Sequence, residues 1–280
     1  MATILALLSS ALWGTADYHG GKISKSNPAI AVLGVTQAIG LLFGIGLVIL
    51  SGDYSAPAFG PDGYFLPGAL AGILGYLGLI CLYAGLSTGR MGVVSPISGL
   101  SALIPVSYAF FFNGDRLSLI LTIGAILSVV GAFLASGPEI SQGLPIKPLL
   151  LAFGAAGGFG TALTFMAIGS QGSALMTMVM MRATTFLVSL GILAKYRTFG
   201  GLNFKQSPIL IFIGVADFLA NLLLGVATTK GNLTLAMVLG ALYPIFTALL
   251  AYQFLHERLH KVQYIGVLAA VAGVAIISAF

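Results

Sequence analysis

Trp13-Gly14-Thr15-Ala16 returns 146 positions later as Phe159-Gly160-Thr161-Ala162, and this repetition decides how the whole chain is read. Working outward from it, Gln37-Ala38 returns as Arg182-Ala183 at an offset of 145. Thr88 and Arg90 return as Thr228 and Lys230 at 140, and Pro105 returns as Pro244 at 139. Asp115-Arg116-Leu117 returns as Glu257-Arg258-Leu259 at 142. Each match alone is weak, but the preserved order and near-constant offset are not. The chain reads as two related halves, 1–140 and 141–280, an arrangement that places a binding site where the halves meet.

Composition says what surrounds those halves. Hydrophobic residues make up 58% of the chain and charged residues 7%, against about 25% charged in a soluble domain. So little charge cannot cover a water-facing surface, so the chain must face lipid. The formal net charge of +5 is scattered over short gaps, with no basic cluster interleaved with aromatics, so no nucleic-acid partner is expected. The lone Cys81 excludes an internal disulfide and a multi-cysteine metal site, and no cofactor is expected. The 38 glycines suit helices that approach closely in a membrane. Residues 2–16 resemble a signal peptide in hydrophobicity. No Lys or Arg precedes them, however, and they contain one copy of the repeated motif, so they read as a first transmembrane helix.

Apolar runs long enough to cross about 30 Å of hydrocarbon fall at 2–20, 28–51, 64–87, 92–113, 119–136, 148–169, 174–194, 208–228, 233–255 and 263–279. The expected fold is therefore all-α and integral to the membrane, with ten transmembrane helices as two five-helix repeats. The runs are continuous rather than alternating, which excludes a transmembrane β-barrel. Five helices per half is an odd number, so the second half must enter the membrane in the opposite direction. Basic residues swap sides accordingly. Lys22 and Lys25 follow the first helix, while its counterpart gap at Gln171-Gly172 has none. The gap at 52–63 has none, while its counterpart holds Lys195, Arg197 and Lys205. Gaps after odd helices hold nine basic residues and gaps after even helices hold Arg116 and Lys230, which puts the odd gaps in the cytoplasm and both termini outside.

Ionisable residues inside a membrane helix are costly and mark candidate sites. Four lie within the expected helices: Asp17, His19, Arg182 and Asp217. Arg182 and Asp217 fall near mid-helix and suit either a structural ion pair between neighbouring helices or a site for a charged substrate. The repeat mate of Arg182 is Gln37, also polar and mid-helix, so both should face the bundle interior. Asp17 lies nearer a helix end, four residues after Trp13 on the same face, where an aromatic wall and an anionic group could hold one substrate end. His19 reads as interfacial. Tyr76 and Tyr83 share a face of the third helix, and Asn221 shares a face with Asp217, so all three could line a cavity or glue helices together. Pro96, Pro105 and Pro244 interrupt helices and are candidate gating bends. Met176, Met178, Met180 and Met181 read as packing.

Trp13-Gly14 in an apolar first helix, Tyr83-Ala84-Gly85-Leu86, and Pro244 thirteen residues before Glu257-Arg258-Leu259 together resemble the drug/metabolite transporter superfamily, in its ten-helix EamA branch. The spacing from Pro105 to Asp115 is shorter, at ten, and Asp stands where the second half has Glu257. The resemblance implies a multi-pass protein of the cytoplasmic (inner) membrane that is not an enzyme. It further implies a central cavity, alternating access and export of small metabolites. It also implies cytoplasmic termini, the reverse of the charge tally. Both signs of charge in one cavity suit an amino-acid-like metabolite. A lipophilic cation or quaternary amine held by Asp17 and Trp13 is the alternative. A membrane-embedded lipid-phosphate enzyme is a weaker rival, since no helix gathers catalytic groups. The expected partners are a small-molecule substrate, lipid and protons as a coupling ion, with monomer and dimer both open.

Overall fold

In lipid a backbone must satisfy its own polar groups, and long continuous apolar runs do so as α-helices. A computed structural model describes residues 1–53, 56–88, 94, 97–114, 116–135, 146–196, 201–255 and 260–279, and among them there is no strand. Helices α1 (Ala2–Ser24), α2 (Ala29–Ser51) and α3 (Phe65–Thr88) come first. A 3-10 turn, Gly99–Ala102, leads into α4 (Leu103–Phe112), which is followed by α5 (Leu119–Ala135). A helical stretch of 51 residues, Ile146–Tyr196, divides at Ser173 into α6 (146–172) and α7 (174–196). Then come α8 (Ser207–Lys230), α9 (Leu233–Gly240), α10 (Tyr243–Leu255) and α11 (Lys261–Ala279). Among the described residues, five helical stretches are long and apolar enough to cross a membrane, and the protein is an integral, multi-pass membrane protein.

Several expected boundaries move. The first helix runs to Ser24 rather than to residue 20, which carries Asp17 inward from the end. Within the expected helix 92–113, residues 99–112 are a 3-10 turn joined to α4, and the expected helix 233–255 is α9 and α10 separated at Ala241-Leu242. Pro105 and Pro244 lie in the first turns of α4 and α10, where a missing N–H leaves no ladder bond unmade. The expected loop at Gln171-Gly172 is helical, and the chain reverses through the single extended residue Ser173 (φ −158°, ψ 116°). The Ser173 hydroxyl accepts the Met176 N–H at 3.1 Å, capping α7, and donates to Asp53 Oδ2 at 3.0 Å. Pro96, Arg90, Asp115, Arg197, His256, Glu257 and Arg258 lie outside the described residues.

Without a hydrophobic drive between helices in lipid, association depends on close backbone approach through small residues. These contacts come in matched pairs. Gly14 of α1 packs on Tyr243 and Thr247 of α10, and its repeat mate Gly160 packs on Ser101 and Ile104 beside α4. Gly72 of α3 packs on the Met181 carbonyl of α7, and Gly214 of α8 packs on the Thr36 carbonyl of α2. In α5 and α11, Gly124 meets Gly273 while Gly131 meets Gly266. Along α3, Gly68 and then Gly72 meet α7 in rising order, whereas Gly75, Gly78 and Gly85 meet α6 in falling order. Helices α6 and α7 are therefore antiparallel.

The buried apolar side chains form two clusters. One gathers Ala6, Ala71, Met166, Phe218, Leu224 and Met237. The other gathers Ile23, Leu33, Leu82, Leu86, Ala152 and Ile213. In α1, α3, α6 and α8 the two clusters draw on opposite ends of the same helix. The polar residues described next occupy the level between them.

Candidate functional site

Asp217, on α8 at 9% exposure, is the hub of a buried network that ties four helices together. Its Oδ1 accepts the Trp13 indole N–H at 3.1 Å and the Asn221 amide at 3.2 Å. Its Oδ2 accepts the Gln37 amide at 3.2 Å and pairs with Arg182 Nη2 at 2.9 Å. Gln37 Oε1 in turn accepts Arg182 Nη1 at 2.5 Å and the Thr185 hydroxyl at 3.2 Å. Three groups close on one another: arginine donates to glutamine, glutamine donates to aspartate, and arginine and aspartate face each other as an ion pair. Buried charge is tolerable in lipid when it is paired and hydrogen-bonded in this way. Gly40 of α2 lies close to the Gly214 carbonyl of α8, where a Cβ would sit 3.2 Å from that oxygen. Gln37 and Arg182, mates in the repeat, touch one another at the centre.

Beside this network lies a cavity of about 630 Å³, counting the space at its mouth. Trp13, Asp17, Tyr76, Arg182, Asp217 and Asn221 line it. Trp13 meets Tyr243 edge-on at 6.2 Å between ring centres, and the Tyr243 hydroxyl shares a 2.8 Å hydrogen bond with Ser98. Tyr76 accepts from the Ser189 hydroxyl at 2.8 Å. Asp17 lines the same cavity at 7% exposure and makes no hydrogen bond or ion pair among the described residues.

Two expected site residues sit elsewhere. Gln37 is buried behind the cavity as the bridge between Arg182 and Asp217, and Tyr83 packs over Gly20 in the second apolar cluster. Pro105 and Pro244 are away from the lining. Pro244 packs against Gly99, next to the 3-10 turn. His19 is half-buried and edge-on to Phe212. Arg116 donates to the Phe110 carbonyl at 2.9 Å and lies over that ring, as an interfacial anchor would.

Sequence reasoning overlooked Phe159, Thr185, Ser101 and Tyr243 in the wall. Phe159 was recoverable, since it is the repeat mate of Trp13. Thr185 lies one helical turn from Arg182, and with Ser189 it continues a polar stripe along α7. Ser101, whose hydroxyl is buried without a hydrogen-bond partner among the described residues, left no signal.

The EamA-like transporter family model matches residues 1–137 and again 146–279. The chain belongs to the EamA-like transporter family. An uncharacterised protein of Methanocaldococcus jannaschii is 25% identical over 135 residues, which span 96% of that protein and 48% of this chain. That relative is thus about half as long. One solved crystal structure of a protein superposes with a TM-score of 0.80 at 17% identity, covering 99% of this chain and 96% of the other, and shares the fold. Family membership makes the protein a membrane transporter with a small-molecule substrate and a lipid environment.

Proposed function

We propose that the protein is a secondary transporter of a small metabolite bearing an amino group. It carries this metabolite across the cytoplasmic membrane by alternating access around the cavity between its two halves. The observation that carries this reading is one cavity, lined by Asp17, Arg182 and Asp217, at the level between two apolar clusters built from opposite helix ends. Opening one cluster while the other stays packed would expose the cavity to one side at a time. Export is the direction implied by the family resemblance. Protons are the coupling ion, with Asp17 as their carrier, because it is the lining carboxyl without a partner among the described residues.

Ten crossings in two inverted five-helix repeats, 1–140 and 141–280, belong to the same proposal. Three observations support it: the family model matches twice, a relative is half as long, and close contacts recur in matched pairs. The α5–α11 contacts pair in reversed order, as a two-fold axis in the membrane plane requires. Orientation follows the basic residues, with the gaps after odd helices in the cytoplasm. In a Cys81→Ser background, Phe59→Cys should react with an impermeant thiol reagent from outside and Phe204→Cys should not. Both parent side chains are well exposed, at 74% and 91%. The reverse pattern would invert the assignment.

The test of transport is counterflow in proteoliposomes across amino acids and amines. A transporter gives saturable, trans-stimulated uptake of a labelled substrate. Uptake proportional to concentration for every compound, without trans-stimulation, would contradict the proposal.

A further inference from the structure

We infer that the substrate is a monovalent organic cation, an alkyl- or arylammonium ion without a carboxylate, held at Asp17 within a box of aromatic rings. The inference rests on the transporter reading and narrows its substrate class.

Asp17, Arg182 and Asp217 are the lining residues whose side chains ordinarily carry charge at neutral pH. Arg182 and Asp217 cancel one another at 2.9 Å, leaving Asp17 as the lining carboxyl without a counter-ion among the described residues. An amino-acid substrate would need a cation for its carboxylate, and Arg182 is committed. Nη1 is bound to Gln37 and Nη2 faces Asp217, and the residue is 3% exposed. Its Nε has no hydrogen-bond partner among the described residues, yet both Nε and Nη2 are sealed from accessible space. A substrate carboxylate could reach the guanidinium only by displacing Gln37 or Asp217. That would exchange one desolvated anion for another with no evident gain.

Asp17 is the opposite case. Asp17, a residue at 7% exposure that lines the cavity, has among the described residues no counter-ion of the kind the protein supplies to Asp217. The surroundings match an ammonium group. Trp13 lies four residues away on the same face of α1, with its indole fixed by Asp217 and by the edge of Tyr243. Tyr76 and Phe159 continue the wall. Ring faces attract ammonium ions most strongly where water is excluded.

Trp13 is the chain's single tryptophan, so its emission reports on this site alone. The full-length protein in nanodiscs at pH 7 should be titrated with phenethylammonium, phenylalanine and 2-phenylethanol. The three share one ring and differ in carrying an ammonium, an ammonium with a carboxylate, and neither. The expected result is a saturable emission change, with phenethylammonium binding at least about tenfold tighter than either of the others. Asp17→Asn should remove that preference and leave weak 2-phenylethanol binding unchanged, while Asp17→Glu should retain it. Equal or tighter binding of phenylalanine would overturn the inference, as would three equal affinities or no saturation by any of them. Cation binding without counterflow would instead remove the transporter reading and leave the cation site standing.

Discussion

Asp17 and Asp217 line one cavity, and the protein treats them in opposite ways. Asp217 receives an indole, two amides and a guanidinium from α1, α2, α7 and α8. Asp17, of similar burial, receives nothing from the described residues. In hydrocarbon a carboxylate needs partners. A fold that supplies four to one carboxylate and none to the other separates their duties. Asp217 is a clasp that gathers helices from both halves, and Asp17 is left for what enters the cavity.

The sharpest way to break this comparison is to remove the clasp. Asp217→Ala leaves Arg182 buried without its counter-ion and should destabilise the protein by about 3–5 kcal/mol, the usual penalty for half of a buried pair. Thermal unfolding in detergent measures it. Arg182→Met combined with Asp217→Leu should recover much of that stability while leaving transport abolished. If Asp217→Ala melts like the wild type, the network is not a clasp.

Asp17→Asn should show the reverse. Stability should stay within about 1 kcal/mol of the wild type or rise, because an unpaired buried carboxyl is removed with little change in volume. Substrate flux and its response to a pH gradient should fall at least about tenfold. Full flux with an unchanged gradient response would take Asp17 out of the transport cycle. Trp13→Phe, which loses the indole bond to Asp217, should cost about 1.5–3 kcal/mol of stability, between the two carboxylates in effect. Smallest of all, Tyr83→Phe should leave substrate affinity unchanged, since Tyr83 packs over Gly20 outside the cavity. A change in affinity there would extend the site into the second apolar cluster.

Much of this was legible in the sequence, for physical reasons. Apolar length fixes helices in lipid, so most spans could be read to within a few residues. The pairing of Arg182 with Asp217 was one of two readings that opposite charges at mid-helix left open. The mating of Gln37 with Arg182 followed from the repeat, although its consequence, direct contact at the centre, did not. What escaped depends on packing. A one-residue reversal at Ser173 leaves no run of turn residues to read. The inward shift of Asp17 comes from four further helical residues that include Lys22, which a hydropathy reading excludes. Tyr243 and Ser101 reach the cavity because α10 and the 3-10 turn pack against Gly14 and Gly160, and no local pattern records that.

The central claim is that one cavity between two apolar clusters faces each side of the membrane in turn. Leu79 lines that cavity and is only partly buried, so a thiol in its place meets the cavity. The direct measurement is modification of Leu79→Cys, in the Cys81→Ser background, by an impermeant thiol reagent applied to right-side-out and to inverted vesicles. The account predicts modification from both sides. Modification from one side alone, or from neither while the exposed Phe59→Cys and Phe204→Cys controls react, would contradict it.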